Sequence, residues 1–229
     1  MSELIRQNLE RIRADIARAC DRAGRDPDEI TIVAITKTHP AEVIVQAVDL
    51  GLTDVGESRI QEAEPKISQL GPIARYHLVG HLQTNKVKKA IRLFDMIQSV
   101  DSLYLAEEIS RRAVEGNRVI DCLIELNSSG ESQKYGVAPE QVSTLLRQVM
   151  PLPGIRICGL MTVGPLTEDE TAVRCAFAET RRIFDDLRAI APEEFRVLSM
   201  GMSHDFPVAI EEGATMIRLG TSLFGVRGA

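Results

Sequence analysis

Short apolar runs alternate with amphipathic stretches along almost the whole chain, and this alternation limits the possible folds more than any other feature of the sequence. The short runs are rich in β-branched residues and are bounded by Gly or polar residues, which predicts buried strands. Eight strands are predicted, at residues 30–36, 52–55, 76–79, 96–99, 119–126, 155–162, 196–200 and 216–219. Seven helices are predicted to follow them in turn, at residues 41–50, 59–70, 84–93, 103–115, 139–150, 168–190 and 205–212.

This order of elements predicts parallel strands joined by helical crossovers. Eight repeats within 229 residues fit a compact α/β fold, the (β/α)8 TIM barrel. The alternative is an open, doubly wound sheet, because periodicity alone does not distinguish a closed sheet from an open one. The first predicted strand is not followed by a G-x-G-x-x-G fingerprint, which disfavours the dinucleotide-binding form of that alternative.

The two ends of the chain depart from a regular repeat. An additional N-terminal helix is predicted, which Ser2 caps and Gly24 ends. Its apolar stripe has the spacing of three and four residues that is typical of an amphipathic helix, and consists of Ile5, Leu9, Ile12, Ile16 and Ala19. The eighth helix is predicted to be truncated to a short turn after Gly220. No linker or low-complexity tract divides residues 1–229, so a single domain is expected.

Charge and composition exclude several classes of protein. The 27 basic and 33 acidic residues give a net charge of −6, which argues against general nucleic-acid binding. No apolar run approaches the roughly 20 residues of a membrane span, and the N-terminus lacks the apolar stretch of a signal peptide. The four cysteines are far apart and form no C-x-x-C pair, so they predict neither disulfides nor a zinc site. We therefore expect a cytoplasmic enzyme or small-ligand binder without a metal.

Lys37 is the first candidate functional residue, because functional groups of such barrels gather at the C-terminal ends of the strands. It ends the first predicted strand on the same side as Val33 and Ile35. A Lys at the end of an apolar strand loses hydration, which increases its neutral, nucleophilic fraction and suits it to Schiff-base chemistry with an aldehyde. The alternative is an ordinary Lys whose amine reaches the solvent.

Two turns near the C-terminus indicate a phosphate site. Residues 198–205 and 218–225 each run from a strand through a Gly turn to the start of a helix. Loops after the seventh and eighth strands often bind phosphate in these barrels. Gly201 and Gly220 let the backbone approach closely, and nearby Ser and Thr residues supply hydroxyl groups. The alternative is that both are ordinary turn glycines.

Closure of the barrel would place Lys37 beside residues 220–221, since the eighth strand neighbours the first. An amine next to a phosphate site suits a phosphorylated aldehyde or ketone, which makes pyridoxal phosphate and the sugar phosphates of Schiff-base aldolases both candidates. Arg218 is expected to face the barrel interior, where an unpaired guanidinium is costly. It therefore needs either a carboxylate, in a buried salt bridge, or a ligand acceptor such as a pyridine nitrogen.

Other polar residues carry weaker signals. His77 and His81 have helical spacing, but the preceding strand and Gly80 between them disfavour a metal site. A basic cluster near the fourth helix is expected to be a solvated helix face; it consists of Lys86, Lys88, Lys89 and Arg92.

Six motifs then occur in an order that identifies a family. They are ITKT at residues 35–38, VGESR at 55–59, HLVGHLQTNK at 77–86, GLMT at 159–162, LSMGMS at 198–203 and ATMIRLGT at 214–221. Together they closely resemble the pyridoxal phosphate homeostasis protein family, which is related to the barrel domain of alanine racemase. The resemblance extends from the first helix to Gly225, nearly the whole chain.

The resemblance implies a cofactor and the residues that bind it. It implies that pyridoxal 5′-phosphate (PLP) is held as a Schiff base on Lys37 and that Arg218 faces the pyridine nitrogen. The implied phosphate contacts are Ser203, Gly220 and Thr221. The other residues assigned to the pocket are Ser58, His81, Met161, Ser199 and Met202. Two positions depart from the family pattern: Ser58 stands where Asn is frequent, and His39 where Lys or Val is frequent.

The resemblance also implies a carrier or regulator of the intracellular PLP pool, with little or no amino-acid turnover. PLP-dependent enzymes would then be its client partners, and we expect a monomer. The main alternative is a racemase-like enzyme, which carries an additional β-domain and needs an acid or base on each face of the substrate carbanion. The sequence ends at Ala229, soon after the eighth strand, and offers no convincing second base besides Lys37, so we expect little or no such turnover. Less favoured alternatives are the aldolase and an interaction module that uses residues 86–92. Lys134 is a candidate second amine, and a solvated Lys is the simpler interpretation.

Overall fold

The computed structural model describes residues 2–128 and 135–225 and contains a closed barrel of eight parallel strands in sequence order. The strands are β1 Thr31–Ile35, β2 Asp54–Glu57, β3 Arg75–Leu78, β4 Met96–Val100, β5 Ile120–Leu126, β6 Ile155–Thr162, β7 Val197–Ser199 and β8 Met216–Leu219. Pairing of β8 with β1 closes the sheet. The predicted (β/α)8 barrel is therefore confirmed, and the open, doubly wound sheet is excluded.

Helices surround this barrel in the described part of the chain. They are α1 Ser2–Ala23, α2 Ala41–Asp49, α3 Ile60–Leu70, α4 Val87–Leu93, α5 Leu103–Glu115, α6 Pro139–Val149, α7 Glu170–Arg188, α8 Phe206–Glu211 and α9 Thr221–Phe224. The predicted helix at residues 84–93 is divided, because a 3-10 turn at Thr84–Lys86 precedes α4. Among these described helices, none has both the length and the apolar character that crossing a membrane requires.

The N-terminal helix α1 compensates for the truncated last helix. As predicted, α9 is short, with four residues, and it is too short to cover β8 alone. Helix α1 packs against α2, α8 and α9, and its predicted apolar stripe is buried in the core. The Asn8 side-chain amide also donates a hydrogen bond of 3.0 Å to the carbonyl of Leu223 in α9. Gly24 ends α1 with a φ of 63°, a left-handed conformation that glycine adopts without a steric penalty.

Alternate strand residues face the barrel interior, where they form a small apolar cluster separate from the larger core between strands and helices. The interior cluster consists of Val33, Ile35, Met96, Leu123, Cys158, Met161 and Met216. Charged residues close the N-terminal mouth of the barrel: Arg75 binds Asp121 at 2.6 Å, and Arg156 binds the same carboxylate at 2.5 Å. These charges pair with one another, and the functional sites of such barrels lie at the opposite, C-terminal end.

Candidate functional site

A cavity of about 410 Å³ opens at the C-terminal ends of β1 and β8. The pairing of Ala34 with Leu219 aligns these two strands, so the residues that follow them meet at the same edge. A larger cavity of about 950 Å³ contains none of the predicted site residues. The residues with predicted roles that line the smaller cavity are Lys37, Ser58, Met202, Ser203, Arg218, Gly220 and Thr221.

Helix α3 holds the backbone immediately before Lys37. Lys66 of α3 donates hydrogen bonds from Nζ to the carbonyl oxygen of Thr36, at 2.8 Å, and to Glu57 Oε1, at 2.7 Å. The Thr36 hydroxyl donates to the same carboxylate oxygen at 2.7 Å. Thr36 is thus held through both its backbone and its side chain, which limits the movement of the turn that carries Lys37.

The backbone after Lys37 is held by the same helix. The Thr38 N–H donates to Glu62 Oε2 at 3.1 Å, and Thr38 has a φ of 68°, which is uncommon for a β-branched residue. Lys37 lies in this turn, two residues beyond the end of β1, with its side chain half-buried. Its amine makes no hydrogen bond or ion pair with residues 2–128 or 135–225. The site therefore presents an amine on a restrained backbone.

Hydroxyl groups line the same cavity, from Ser58, Ser203 and Thr221. The Ser203 Oγ accepts hydrogen bonds of 3.1 Å from both the backbone N–H and the hydroxyl of Ser222. Because Ser203 accepts twice, its own hydroxyl proton remains available to a ligand in the cavity. These bonds also join the loop after β7 to α9, so Ser203 is fixed relative to Gly220 and Thr221. The sequence did not predict Ser222, although its place in the Gly-Thr-Ser turn was a signal.

Arg218 lies inside the barrel, as the alternation of β8 predicts, and is 5% exposed. Its Nη1 donates to the carbonyl of Ser199 at 2.8 Å and to the Ser199 hydroxyl at 2.7 Å, and its Nη2 donates to the carbonyl of Thr162 at 2.7 Å. Burial lowers the pKa of Arg218 to about 10, although the charges of Asp205 and Glu125 act in the opposite direction. No described carboxylate forms a salt bridge with it. Of the two alternatives for Arg218, a ligand acceptor is therefore favoured.

Met161 and Ser199, which were assigned to the pocket, do not line the cavity. Met161 belongs to the apolar cluster of the barrel interior and is fully buried. Ser199 is also fully buried and reaches the cavity only through its hydrogen bonds to Arg218. Lys134, the candidate second amine, lies outside the described residues.

The two candidate histidines lie in different environments. His77 is fully buried, with its Nε2 2.9 Å from Asp54 Oδ1, and it does not line the cavity. His81 lies 3.5 Å from Asp101 and stacks on the ring of Tyr135, with 3.9 Å between the ring centroids. It lines a small neighbouring cavity of about 180 Å³ and not the main one. These two histidines therefore do not share a ligand site.

Sequence reasoning missed several residues that complete the site. His204 lines the cavity directly after Ser203, and His39, whose role the sequence left open, lines it as well. Glu62 and Lys66 support the Lys37 turn from α3. Their spacing of four residues places them on one face of a helix, and this was the available signal. The sequence alone did not show that this face meets the end of β1.

Comparisons with known proteins agree with this fold. The chain matches the model of the family described as "Alanine racemase, N-terminal domain" over residues 7–228. It is 43% identical over 222 residues to the pyridoxal phosphate homeostasis protein of Aquifex aeolicus, and the match covers 96% of this chain and 97% of that protein.

Solved structures give the same result. The structure of PipY of Synechococcus elongatus with PLP bound has a TM-score of 0.84 and 36% identity, over 96% of this chain and 100% of that chain. Alanine racemase of Clostridium difficile has a TM-score of 0.78 at 16% identity, over 99% of this chain and 58% of that chain, a likeness that shows the barrel fold alone. From these matches, the chain belongs to the pyridoxal phosphate homeostasis protein family, which has the barrel of the alanine racemase N-terminal domain.

Proposed function

We propose that the chain binds PLP through the amine of Lys37 and holds it for intracellular PLP homeostasis, with little or no amino-acid turnover. The observation that carries the proposal is the presence in one cavity of the Lys37 amine, which has no partner among the described residues, the Ser203 and Thr221 hydroxyls, and the Arg218 guanidinium. PipY, a protein of similar length and 36% identity, has a structure with PLP bound. When bound, PLP supplies an aldehyde that condenses with an amine.

The residues of the cavity fit the polar groups of this cofactor. Lys37 supplies the amine at one side, and Ser203 and Thr221 with the Gly220 backbone supply donors for a phosphate. Arg218 uses both hydrogens of Nη1 and one of Nη2 on protein acceptors, so its Nε–H and one Nη2–H remain for the pyridine nitrogen. The cavity volume of about 410 Å³ is within the range of ordinary ligand sites.

Arg218 supports a holding role over amino-acid chemistry. An Arg that donates to the pyridine nitrogen keeps that nitrogen unprotonated and weakens the ring as an electron sink. Its pKa of about 10 leaves the guanidinium charged near neutral pH, so it donates a hydrogen bond without transferring its proton. The ring nitrogen is therefore held while the driving force for carbanion formation stays low.

The racemase-like alternative requires a second acid or base on the other face of the substrate. Among described residues, the titratable side chains that line the cavity are Lys37, His39, His204 and Arg218. The two histidines are thus the residues to test for residual turnover. We expect amino-acid racemisation far below the roughly 10 s⁻¹ typical of enzymes. A rate near that value would contradict the holding role.

Reduction with borohydride after incubation with PLP, followed by peptide mass spectrometry, tests the attachment. We expect a pyridoxyl phosphate adduct on Lys37 and no adduct at that peptide in Lys37→Ala. Lys88→Ala, which removes an exposed Lys of α4, is the matched control and should retain the adduct. An adduct that forms with a triose phosphate and not with PLP would instead identify the Schiff-base aldolase.

Delivery to client enzymes needs its own assay. We expect the PLP-loaded protein to reactivate a PLP-dependent enzyme from which the cofactor has been removed, faster than the Lys37→Ala variant does. We also expect a monomer of 25.3 kDa in sedimentation experiments. The interaction-module alternative has less support, because Lys89 of the basic cluster already pairs with Glu64 at 2.7 Å.

A further inference from the structure

A continuous chain of hydrogen bonds crosses the barrel interior from Arg218 on β8 to Asp54 on β2. Arg218 Nη1 lies 2.7 Å from Ser199 Oγ, and that hydroxyl lies 2.7 Å from Gln98 Oε1. Gln98 Nε2 lies 2.9 Å from His77 Nδ1, and His77 Nε2 lies 2.9 Å from Asp54 Oδ1. Ser199, Gln98 and His77 are fully buried, Arg218 is nearly so, and the Asp54 side chain is 12% exposed. The chain joins residues of five strands through the barrel interior.

The chemistry of the groups determines the direction of each bond. A guanidinium can only donate, so Ser199 accepts from Arg218 and donates its own proton to the Gln98 carbonyl. The second polar atom of the Gln98 amide lies 3.2 Å from Met216 Sδ. Because the thioether sulfur is a weak acceptor, this atom is the amide nitrogen, Nε2. Since that nitrogen donates to His77 Nδ1, the imidazole proton is on Nε2 and is donated to Asp54. All four bonds therefore run in one direction, from the cation to the carboxylate.

Asp54 carries a negative charge at the end of this chain. Burial acts to raise the pKa of Asp54, but the hydrogen bonds from His77 and Thr53, with the nearby charge of Arg75, oppose burial, and the pKa lies below its ordinary value. Aligned hydrogen bonds polarise one another, so the carboxylate makes the Ser199 oxygen a stronger acceptor for Arg218. In the part of the chain that is described, no carboxylate contacts Arg218 directly. The chain of hydrogen bonds is therefore a route by which the Asp54 carboxylate stabilises the buried Arg218 guanidinium.

We propose that Asp54, His77 and Gln98 are positioning residues that orient Arg218 toward the pyridine nitrogen of PLP. They hold the Nη1 edge of the guanidinium on Ser199, which leaves Nε–H and one Nη2–H directed to other acceptors. The inference rests on the proposed function, because it assigns Arg218 to a PLP atom. It adds three residues, none of which lines the cavity, to the determinants of cofactor binding.

The substitution Asp54→Asn tests this proposal. Asn keeps the shape of the side chain and an oxygen that accepts from His77, and it removes the charge. Asp121→Asn is the matched control, because Asp121 lies at the same mouth of the barrel and binds Arg75 and Arg156 but none of the five hydrogen-bonded residues. Arg75, which also lies 3.9 Å from Asp54, is retained in both variants. Partners that orient metal-ligating side chains change metal affinity by about 10- to 100-fold when removed, and we take the lower end of that range for an orienting residue here. We expect PLP to bind about tenfold more weakly to Asp54→Asn and within about twofold of wild type to Asp121→Asn.

Two measurements separate positioning from a structural role. The affinity for PLP is measured by a titration that is monitored by absorbance. The position of the absorption band of the bound cofactor is recorded for each variant. A positioning role shifts the band in Asp54→Asn alone, since contact with the ring nitrogen changes. Equal affinities and bands in both Asn variants would overturn the inference and leave the proposed function standing. If Asp54→Asn does not fold, Ser199→Ala interrupts the hydrogen-bond chain at another link. An unchanged affinity of Ser199→Ala for PLP would equally overturn the inference.

A third measurement does not depend on PLP. ¹⁵N NMR of the cofactor-free protein reports the proton positions on the His77 ring, and we expect Nε2 to be protonated and Nδ1 to be unprotonated. A proton on Nδ1 would reverse the direction of the chain and overturn the inference. If wild-type protein instead forms no adduct at Lys37, the proposed function fails, while the NMR result still decides the direction of the chain.

Discussion

Lys66 Nζ and Glu57 Oε1 form a buried ion pair of 2.7 Å beneath the turn that carries Lys37. The two side chains are 11% and 1% exposed, and the second oxygen of Glu57 has no hydrogen-bond partner among the described residues. Through Thr36, this pair connects α3 and the ends of β1 and β2. A second, internal lysine, Lys66, thus supports the turn that carries Lys37, and Glu57 balances its charge within the fold.

Lys66→Met is expected to destabilise the protein by about 3 to 5 kcal/mol, because it leaves the Glu57 carboxylate buried and unpaired. The control is Lys89→Met, which breaks an exposed ion pair with Glu64 of the same 2.7 Å length and is expected to cost about 0 to 1 kcal/mol. Urea unfolding monitored by circular dichroism gives both values. Equal losses of stability in the two variants would show that the Lys66 pair is not a buried structural element.

Gly159→Ala is expected to cost about 3 kcal/mol or more, since a Cβ at this position would overlap the carbonyl group of Val197 on β7. Gly159 lies where the register of β5 and β6 shifts, and no flexible side chain there can move aside. Gly24→Ala is the comparison: its Cβ meets no atom within 4 Å, so only its φ of 63° opposes the change, at about 1 to 2 kcal/mol. A smaller loss for Gly159→Ala than for Gly24→Ala, measured by urea unfolding, would contradict the close approach of β6 and β7.

Glu125 gives the stability a specific dependence on pH. Burial, with the charge of Asp101, raises the pKa of Glu125 to about 7 from its ordinary 4.5, against the opposing effect of Arg218. Because the folded-state pKa is the higher one, the stability from this group is complete below about pH 4.5 and is lost as the pH rises through 7. The full loss corresponds to about 3 kcal/mol.

Glu125→Gln removes this dependence, since Gln does not ionise. Relative to wild type, the variant is therefore expected to gain about 2 to 3 kcal/mol in free energy of unfolding between pH 4.5 and pH 8. Urea unfolding of both proteins at the two pH values provides the comparison. Parallel pH profiles for the two proteins would show that Glu125 ionises normally in the folded state.

The thiols are expected to differ in reactivity. Cys175 is exposed, whereas burial raises the pKa of Cys20 and of Cys122, and raises that of Cys158 to about 11. Because the thiolate is the reactive form, one thiol should react quickly with a disulfide reagent in the native protein and four after unfolding. Cys175→Ser should abolish the fast reaction. A fast reaction that persists in this variant would place another thiol at the surface.

Several features followed directly from local sequence patterns. The strand that leads to Lys37 was predicted because Val33 and Ile35 are apolar residues in a β-branched run. The interior position of Arg218 followed from its separation by two residues from Met216. Neither pattern revealed Lys66 or the link between His77 and Gln98. Those contacts join residues whose local patterns contain no information about their partners.

By itself the sequence determined the number and order of strands and helices, the family, and the residues at the ends of the strands. The elements followed from the periodicity of side chains, which records which face of a single element is buried. The family followed from the resemblance that six ordered motifs carry. Only the tertiary structure decided that Arg218 is held by Ser199 and Thr162, with no carboxylate of the described residues bound to it, and that the Lys37 turn is held by α3. Such contacts depend on how strands align on closing the barrel and how helices pack against them. Those distances are properties of the folded chain and are absent from any short segment of it.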